Sequence, residues 1–287
     1  MVGKGFPGSI YGQPGTGKST ATYLYASTLC RSSWTVIWIH VEWWRGFLKE
    51  RVKCVIMTEL TKKVASFEMN DLRAFLASGH KFIASKEVLI LDGLTFHDCF
   101  RKLAVSSATW WETDKVNRRL INVSSMAAQG KFKPVEIQRD GNVDFLQISW
   151  TLEEYKAAVK NPDFMMSVEQ FLDADPEPGD NGDARVESKY FYSGGCARSM
   201  FQLSTLEVKD LINKSIKSLS DKSRILNADT GCNSEYACHN LLNVFRDEQT
   251  ELVSAYAALE LALQKGPDYI ISLAKSPLLS GNHSKKG

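Results

Sequence analysis

The chain has 287 residues, 44% hydrophobic and 24% charged, and its 35 basic and 33 acidic side chains leave a formal net charge of +2. That composition excludes a disordered tail, a collagen-like repeat and a disulfide-stapled miniprotein. It also lacks the basic excess of a free-standing nucleic-acid binder. From the amino end, Ser9-Ile10-Tyr11 is a short apolar segment stopped by Gly12-Gln13-Pro14-Gly15-Thr16-Gly17. Helical spacing of Ala21, Leu24, Tyr25 and Thr28 predicts a helix over Ser19–Leu29. β-Branched and aromatic residues from Thr35 to Val41 predict a buried strand, and Arg51–Met57 with Val64–Phe67 predict an inserted hairpin. A helix over Asp71–Ala77 is expected with Asn70 as its N-cap. Glu87–Gly93 is an apolar strand ending in an acid and a glycine, Leu120–Ser125 repeats that form, and Val143–Trp150 is a last strand. Strands alternating with helices predict a parallel, three-layer α/β sheet, buried on both faces. From Thr151 onward, Leu152–Val159, Val168–Leu172, Met200–Leu219 and Glu235–Leu263 carry helical periodicity and no convincing strand. Between them, Asp173–Asp183 reads as an acidic, turn-rich loop.

The six cysteines, Cys30, Cys54, Cys99, Cys196, Cys232 and Cys238, have no framework spacing and read as reduced thiols. Cys232 and Cys238 beside His239 are too far apart for a usual zinc knuckle, so semi-buried thiols are the expectation. The opening residues lack the apolar core of a signal peptide. The longest apolar run, Val36-Ile37-Trp38-Ile39, is broken by His40 and Glu42, far short of a membrane span. A soluble intracellular chain is expected. A functional motif this close to Met1 also fits a piece of a longer protein.

That motif is Gly12-Gln13-Pro14-Gly15-Thr16-Gly17-Lys18-Ser19, which matches G-x-x-x-x-G-K-[ST] at every defined position, between a strand and a helix. Glycines let backbone N–H groups curl around a phosphate, and the following helix aims its positive dipole end at the same anion. Gly12, Gly15, Thr16, Gly17, Lys18, Ser19 and Thr20 are therefore the expected nucleotide-binding residues. Lys18 supplies a point charge for the β- and γ-phosphates, and the Ser19 hydroxyl a ligand for Mg²⁺.

Asp92 closes an apolar strand where ligands of parallel sheets bind, and is the expected second metal-holding residue. Many ATPases of this class place a glutamate directly after that aspartate, but here the position is Gly93. Glu42, at the end of the strand that can lie beside that of Asp92, is the candidate for activating water, with Glu112 as its rival. Ser124 and Ser125 end the next strand, where hydroxyls can touch a γ-phosphate. Arg198 follows Gly194-Gly195 in the first turn of an expected helix, where a cation is disfavoured unless it serves a phosphate. Trp43-Trp44 and Trp110-Trp111 read as satellite core rather than base-stacking platforms.

Four segments occur together in order: the phosphate loop from Tyr11 to Ser19, Leu89-Ile90-Leu91-Asp92-Gly93, Ser149-Trp150-Thr151-Leu152-Glu153-Glu154-Tyr155, and Lys189-Tyr190-Phe191-Tyr192-Ser193-Gly194-Gly195-Cys196-Ala197-Arg198. The set resembles the P-loop ATPase module of the Crinkler effectors and of the related retrotransposon hot spot proteins, over about residues 8 to 205. The first two segments are common to many ATPases, and the last two are the distinctive ones. The resemblance implies an AAA+/STAND-like P-loop fold with a parallel sheet in the order 5-1-4-3-2 and an α-helical lid in which Arg198 acts as a sensor. It further implies delivery into a host cell and its nucleus, although neither a recognisable header before Met1 nor a toxin motif after residue 205 is expected in this sequence.

These readings predict a nucleotide-binding core over residues 1–151, a helical lid over 152–230 and a helical extension over 231–287. The expected activity is slow Mg²⁺-dependent ATP hydrolysis, with Lys18, Asp92, Glu42 and Arg198 as catalytic candidates and Ser19 and Asp92 as metal ligands. ATP and Mg²⁺ are the expected cofactors. A second copy and an attached or partner toxin domain are the macromolecular partners considered, with no nucleic-acid signal and no membrane. Two alternatives stand beside it: a STAND-like switch that hardly hydrolyses, and a small-molecule or nucleoside kinase whose acceptor site would need the pair Arg118-Arg119.

Overall fold

Seven strands and three helices make up the first half of the computed structural model, which describes residues 7–41, 51–78, 86–94, 98–125, 143–175, 181–220, 225, 237, 240–244 and 250–266. The elements are β1 (Gly8–Gly12), α1 (Lys18–Thr28), β2 (Trp34–Val41), β3 (Arg51–Met57), β4 (Lys62–Glu68), α2 (Met69–Ala77), β5 (Lys86–Leu94), α3 (Asp98–Glu112), β6 (Arg118–Ser125) and β7 (Val143–Gln147). Seven strands form one sheet in the order β4-β3-β2-β5-β6-β1-β7. The pairs β2–β5, β5–β6, β6–β1 and β1–β7 are parallel, and the hairpin β3–β4 adds two antiparallel strands beside β2. The fold class is α/β, with a mostly parallel central sheet flanked by helices.

Alternation along β2 and β5 explains why their sequences are apolar at nearly every position. Ile37, Ile39, Leu89 and Leu91 pack with Leu72 and Leu76 of α2 and Leu103, Trp110 and Trp111 of α3. Val36, Trp38, Val88 and Ile90 pack on the opposite face with Ala26 of α1. A strand sends successive side chains to opposite faces, so a sheet covered on both sides needs apolar residues in both phases. Trp110 and Trp111 lie in this central core rather than in a satellite under a loop. Arg118 is also buried there: its Nε donates to Glu87 Oε2 at 2.8 Å, and its guanidinium lies 4.6 Å from the centre of the Trp110 ring.

The chain divides into two compact units, one of residues 1–12 and 17–147, the other of residues 13–16 and 148–287. The second is mainly helical: α4 (Leu152–Val159), α5 (Pro162–Val168), a 3₁₀ turn at Glu169–Phe171, α6 (Gly182–Ser193), α7 (Ala197–Phe201), α8 (Thr205–Lys217), β8 (Leu242–Val244), β9 (Thr250–Leu252) and α9 (Ala255–Lys265). Capping boxes start two of these helices, Thr151 with Glu154 and Ser204 with Glu207. Val208, Ile212 and Ile216 of α8 share one apolar core with Leu242, Leu252, Ala257 and Leu261. Lys189 is fully buried, and its ammonium donates to Phe171 O, to Asp173 Oδ1 at 3.1 Å and to Leu203 O at 2.6 Å.

Several boundaries differ from the sequence expectation. Helix α2 begins at Met69 with Glu68 as its N-cap, because β4 runs straight into it and leaves Asn70 inside the first turn. Strand β7 stops at Gln147, and Ser149 N instead donates to Val244 O at 2.8 Å. Met200–Leu219 is two helices, broken where Ser204 caps α8. Gly182 and Asp183, read as loop, form the first turn of α6, capped by Asn181 Oδ1 accepting from Ala184 N at 2.9 Å. Glu235–Leu263 contains the antiparallel hairpin β8–β9 before α9. Strands of three residues are too short to show a period of two, so only long-range bonds such as Asn243 Nδ2 to Val253 O at 2.9 Å reveal them.

Candidate functional site

The carboxyl ends of β1, β2, β5 and β6 carry Gly12, His40, Asp92 and Ser125, brought to one edge of the sheet by parallel register. Gly12 pairs with Ser125, and His40 pairs with Asp92. Loops that leave this edge form the ligand crevice in open parallel sheets.

Helix α1 begins directly after the glycine loop. Its N-cap, Gly17, is left-handed and gives no side-chain cap, and no acidic residue stands in the first turn. The positive end of the helix dipole is therefore not neutralised by the helix's own side chains. Lys18 donates through Nζ to Gly12 O at 2.9 Å. Ser19 and Thr20 are exposed at the helix start.

Asp92 is buried, with 3% of its surface exposed, and both carboxylate oxygens are engaged within the first unit. Ser19 Oγ donates to Oδ1 at 2.8 Å across 73 residues of sequence, and His40 Nδ1 donates to Oδ2 at 2.9 Å. A bulge follows at once, where the β5–β6 register shifts between Asp92 and Leu94. Gly93 sits in it with φ of 88°, and a β-carbon there would lie 2.7 Å from Val41 O. The position after Asp92 thus has no room for the glutamate that many ATPases carry; bulges commonly re-aim side chains beside functional sites.

The crown of the loop, residues 13–16, belongs to the second unit, and both distinctive motifs touch it there. Trp150 Nε1 donates to Thr16 O at 3.2 Å, Ala197 N donates to Gly15 O at 3.1 Å, and Cys196 Sγ donates to Pro14 O at 3.4 Å. Thr16 Oγ1 bonds Gln13 O at 2.9 Å within the crown. Trp150 is held in turn by Tyr155, stacked with ring centres 5.3 Å apart and tilted by 22°. Arg198 is exposed at the start of α7, and a β-carbon on Gly15 would lie 3.1 Å from its Cβ.

Other candidates fall differently. Glu42, Trp43 and Trp44 lie outside the described residues, as do Cys232, Cys238 and His239. Glu112 ends α3, whose last turn is bonded by Arg118 at the amino edge of the sheet: Arg118 Nη1 donates to Trp110 O at 2.9 Å. Glu87 pairs with Arg118 at that edge, five residues from Asp92, so about 17 Å of strand separates the two ends and removes Glu112 as a rival base. In the sequence His40 reads only as a polar break in an apolar strand. Trp150 lies in one of the two distinctive segments, and its spacing there gives it no role. Among the described residues no group of three or more His, Cys, Asp or Glu side chains is gathered for a metal, and no helix is long and apolar enough to cross a membrane. The sequence matches no family model and no curated protein.

Proposed function

We propose that this chain is a Mg²⁺-dependent, ATP-binding P-loop module of the Crinkler and retrotransposon hot spot kind, hydrolysing ATP slowly and using nucleotide state to control a partner or attached domain. The observation that carries this reading is the 2.8 Å hydrogen bond between Ser19 and Asp92, which joins the helix after the glycine loop to the acid near the end of β5, separated from β1 by β6. Mg²⁺ takes hard oxygen ligands and usually keeps several waters beside one or two protein groups and the substrate phosphates. A hydroxyl and a carboxylate side by side fit that demand without a cluster of acids. When bound, the ion would screen the phosphate charge and polarise the bond to be broken.

Strand order adds support. Counting only the five parallel strands in sequence order, β7-β1-β6-β5-β2 reads 5-1-4-3-2, the order expected for this class. The chain's own parts then have separate tasks. Amides between Gly12 and Ser19, with the start of α1, cradle phosphate oxygens; Lys18 places its charge over them; Ser19 and Asp92 hold the metal. Arg198, beside Gly15 and without an ion-pair partner among the described residues, is the candidate to fork onto a terminal phosphate. Glu42 remains the candidate for orienting water.

A switch with little hydrolysis is the second reading, favoured by the crowding at Gly93. The kinase alternative loses its acceptor pair: Arg118 is committed to Glu87, and Arg119 Nη1 donates to three backbone carbonyls, Lys115 O at 2.9 Å, Val116 O at 3.0 Å and Arg118 O at 2.7 Å. Calorimetry with ATP and Mg²⁺ tests the reading. Lys18→Ala removes charge-assisted bonds worth about 1.5–3 kcal/mol and should weaken affinity about tenfold or more. Wild-type protein that binds no nucleotide overturns the proposal. Phosphate release from the wild type that Lys18→Ala abolishes separates the ATPase from the silent switch.

A further inference from the structure

The contact that the phosphate-loop reading leaves unused is the one from His40. We infer that His40 is a positioning residue for Asp92: it fixes the carboxylate plane so that one oxygen stays on the Ser19 side and is pre-aimed for the divalent cation. The inference rests on the reading of residues 12–19 as a nucleotide site. Three observations carry it. His40 and Asp92 are register partners on adjacent parallel strands, so their side chains leave the sheet on the same face. The two carboxylate oxygens have different partners, His40 Nδ1 on Oδ2 at 2.9 Å and Ser19 Oγ on Oδ1 at 2.8 Å, which leaves the group no freedom to rotate without breaking one bond. Finally, the acid is 3% exposed while the imidazole side chain is 43% exposed, so the ring reaches from solvent to a buried carboxylate.

Carboxylates that hold metals are commonly oriented by hydrogen bonds from outside the coordination shell, and losing such a partner typically costs ten- to a hundredfold in metal affinity. Here the need is sharpened by the bulge at Gly93, where the backbone departs from regular pairing and the residue next to Asp92 has no side chain with which to steer it. An asparagine at position 40 places an amide N–H where Nδ1 stands, at the same number of bonds from the backbone, and should keep the orienting bond.

The test measures ATP affinity against Mg²⁺ concentration, and again in EDTA, for wild type, His40→Ala and His40→Asn, with thermal melting to verify folding. The expected result is a rise of about tenfold or more in the Mg²⁺ needed for half-maximal effect in His40→Ala. Affinity in EDTA should be unchanged, and His40→Asn should sit close to wild type. A Mg²⁺ dependence in His40→Ala equal to wild type overturns the inference while leaving the nucleotide site standing. Equal losses with and without Mg²⁺ also overturn it, because the histidine would then act on the nucleotide or on the fold. Wild type that ignores nucleotide altogether removes the underlying reading and this inference together.

Discussion

Gly15 and Gly17 belong to the same loop and are both left-handed, with φ of 79° and 92°, yet their surroundings differ. A β-carbon on Gly17 would meet nothing within 4 Å, whereas one on Gly15 would lie 2.5 Å from Cys196 Sγ and 3.2 Å from the backbone nitrogen of Arg198. Replacing Gly17 by alanine should therefore cost only the left-handed strain, about 1–2 kcal/mol. Gly15→Ala adds an overpacking cost of about 1–3 kcal/mol, for a total of roughly 2–5 kcal/mol. Equilibrium urea denaturation followed by circular dichroism reads both. Removing the sulfur with Cys196→Ala should return the cost of Gly15→Ala toward that of Gly17→Ala, a coupling above the ~0.5 kcal/mol scatter of independent sites. Equal costs for the two glycine variants, or strict additivity with Cys196→Ala, would refute the crowding of the loop crown by Cys196.

Other outcomes follow from the same physics. Lys189→Met keeps much of the side-chain volume but leaves the carbonyls of Phe171 and Leu203 without this donor, and should cost about 2–4 kcal/mol in a urea titration; a loss under ~0.5 kcal/mol would show that the ammonium contributes no net stability. Burial raises Asp173, but hydrogen bonds from Thr205 and Lys189 outweigh it and hold the acid below its ordinary 3.8, while Ser204 holds Glu207 below its ordinary 4.5. Their stabilisation is present above those values and lost as pH falls through the lowered ones, because the unfolded chain takes up protons first. Urea midpoints should thus decline as pH drops below 4.5, and less steeply in Asp173→Asn and Glu207→Gln than in wild type; identical slopes would contradict it. Burial pushes the Cys54 thiol up to about 11, while hydrogen bonding from Ser32 lowers exposed Cys30. Mass-mapped alkylation of native protein should modify Cys30 well before Cys54, and the reverse order would be incompatible with the burial of Cys54.

Much of the parallel sheet was legible in the chain because burial on both faces leaves an unmistakable mark: Val36 to Ile39 and Val88 to Leu91 are apolar in both phases of the strand. The two short strands β8 and β9 left no such mark, and α6 was hidden behind an acidic, glycine-containing start that also suits a loop. The glycine-rich motif was legible for a different reason. It is eight consecutive residues, Gly12 to Ser19, whose glycines, lysine and hydroxyl can be named without knowing what surrounds them. Everything that acts on that loop from a distance was decided only in three dimensions. Trp150, Cys196 and Ala197 reach its crown across more than a hundred residues of chain, and His40 reaches Asp92 across 52. Local spacing records which face a side chain occupies, but strand register and helix packing choose its neighbour, and that choice follows from the shared core rather than from any short stretch of sequence.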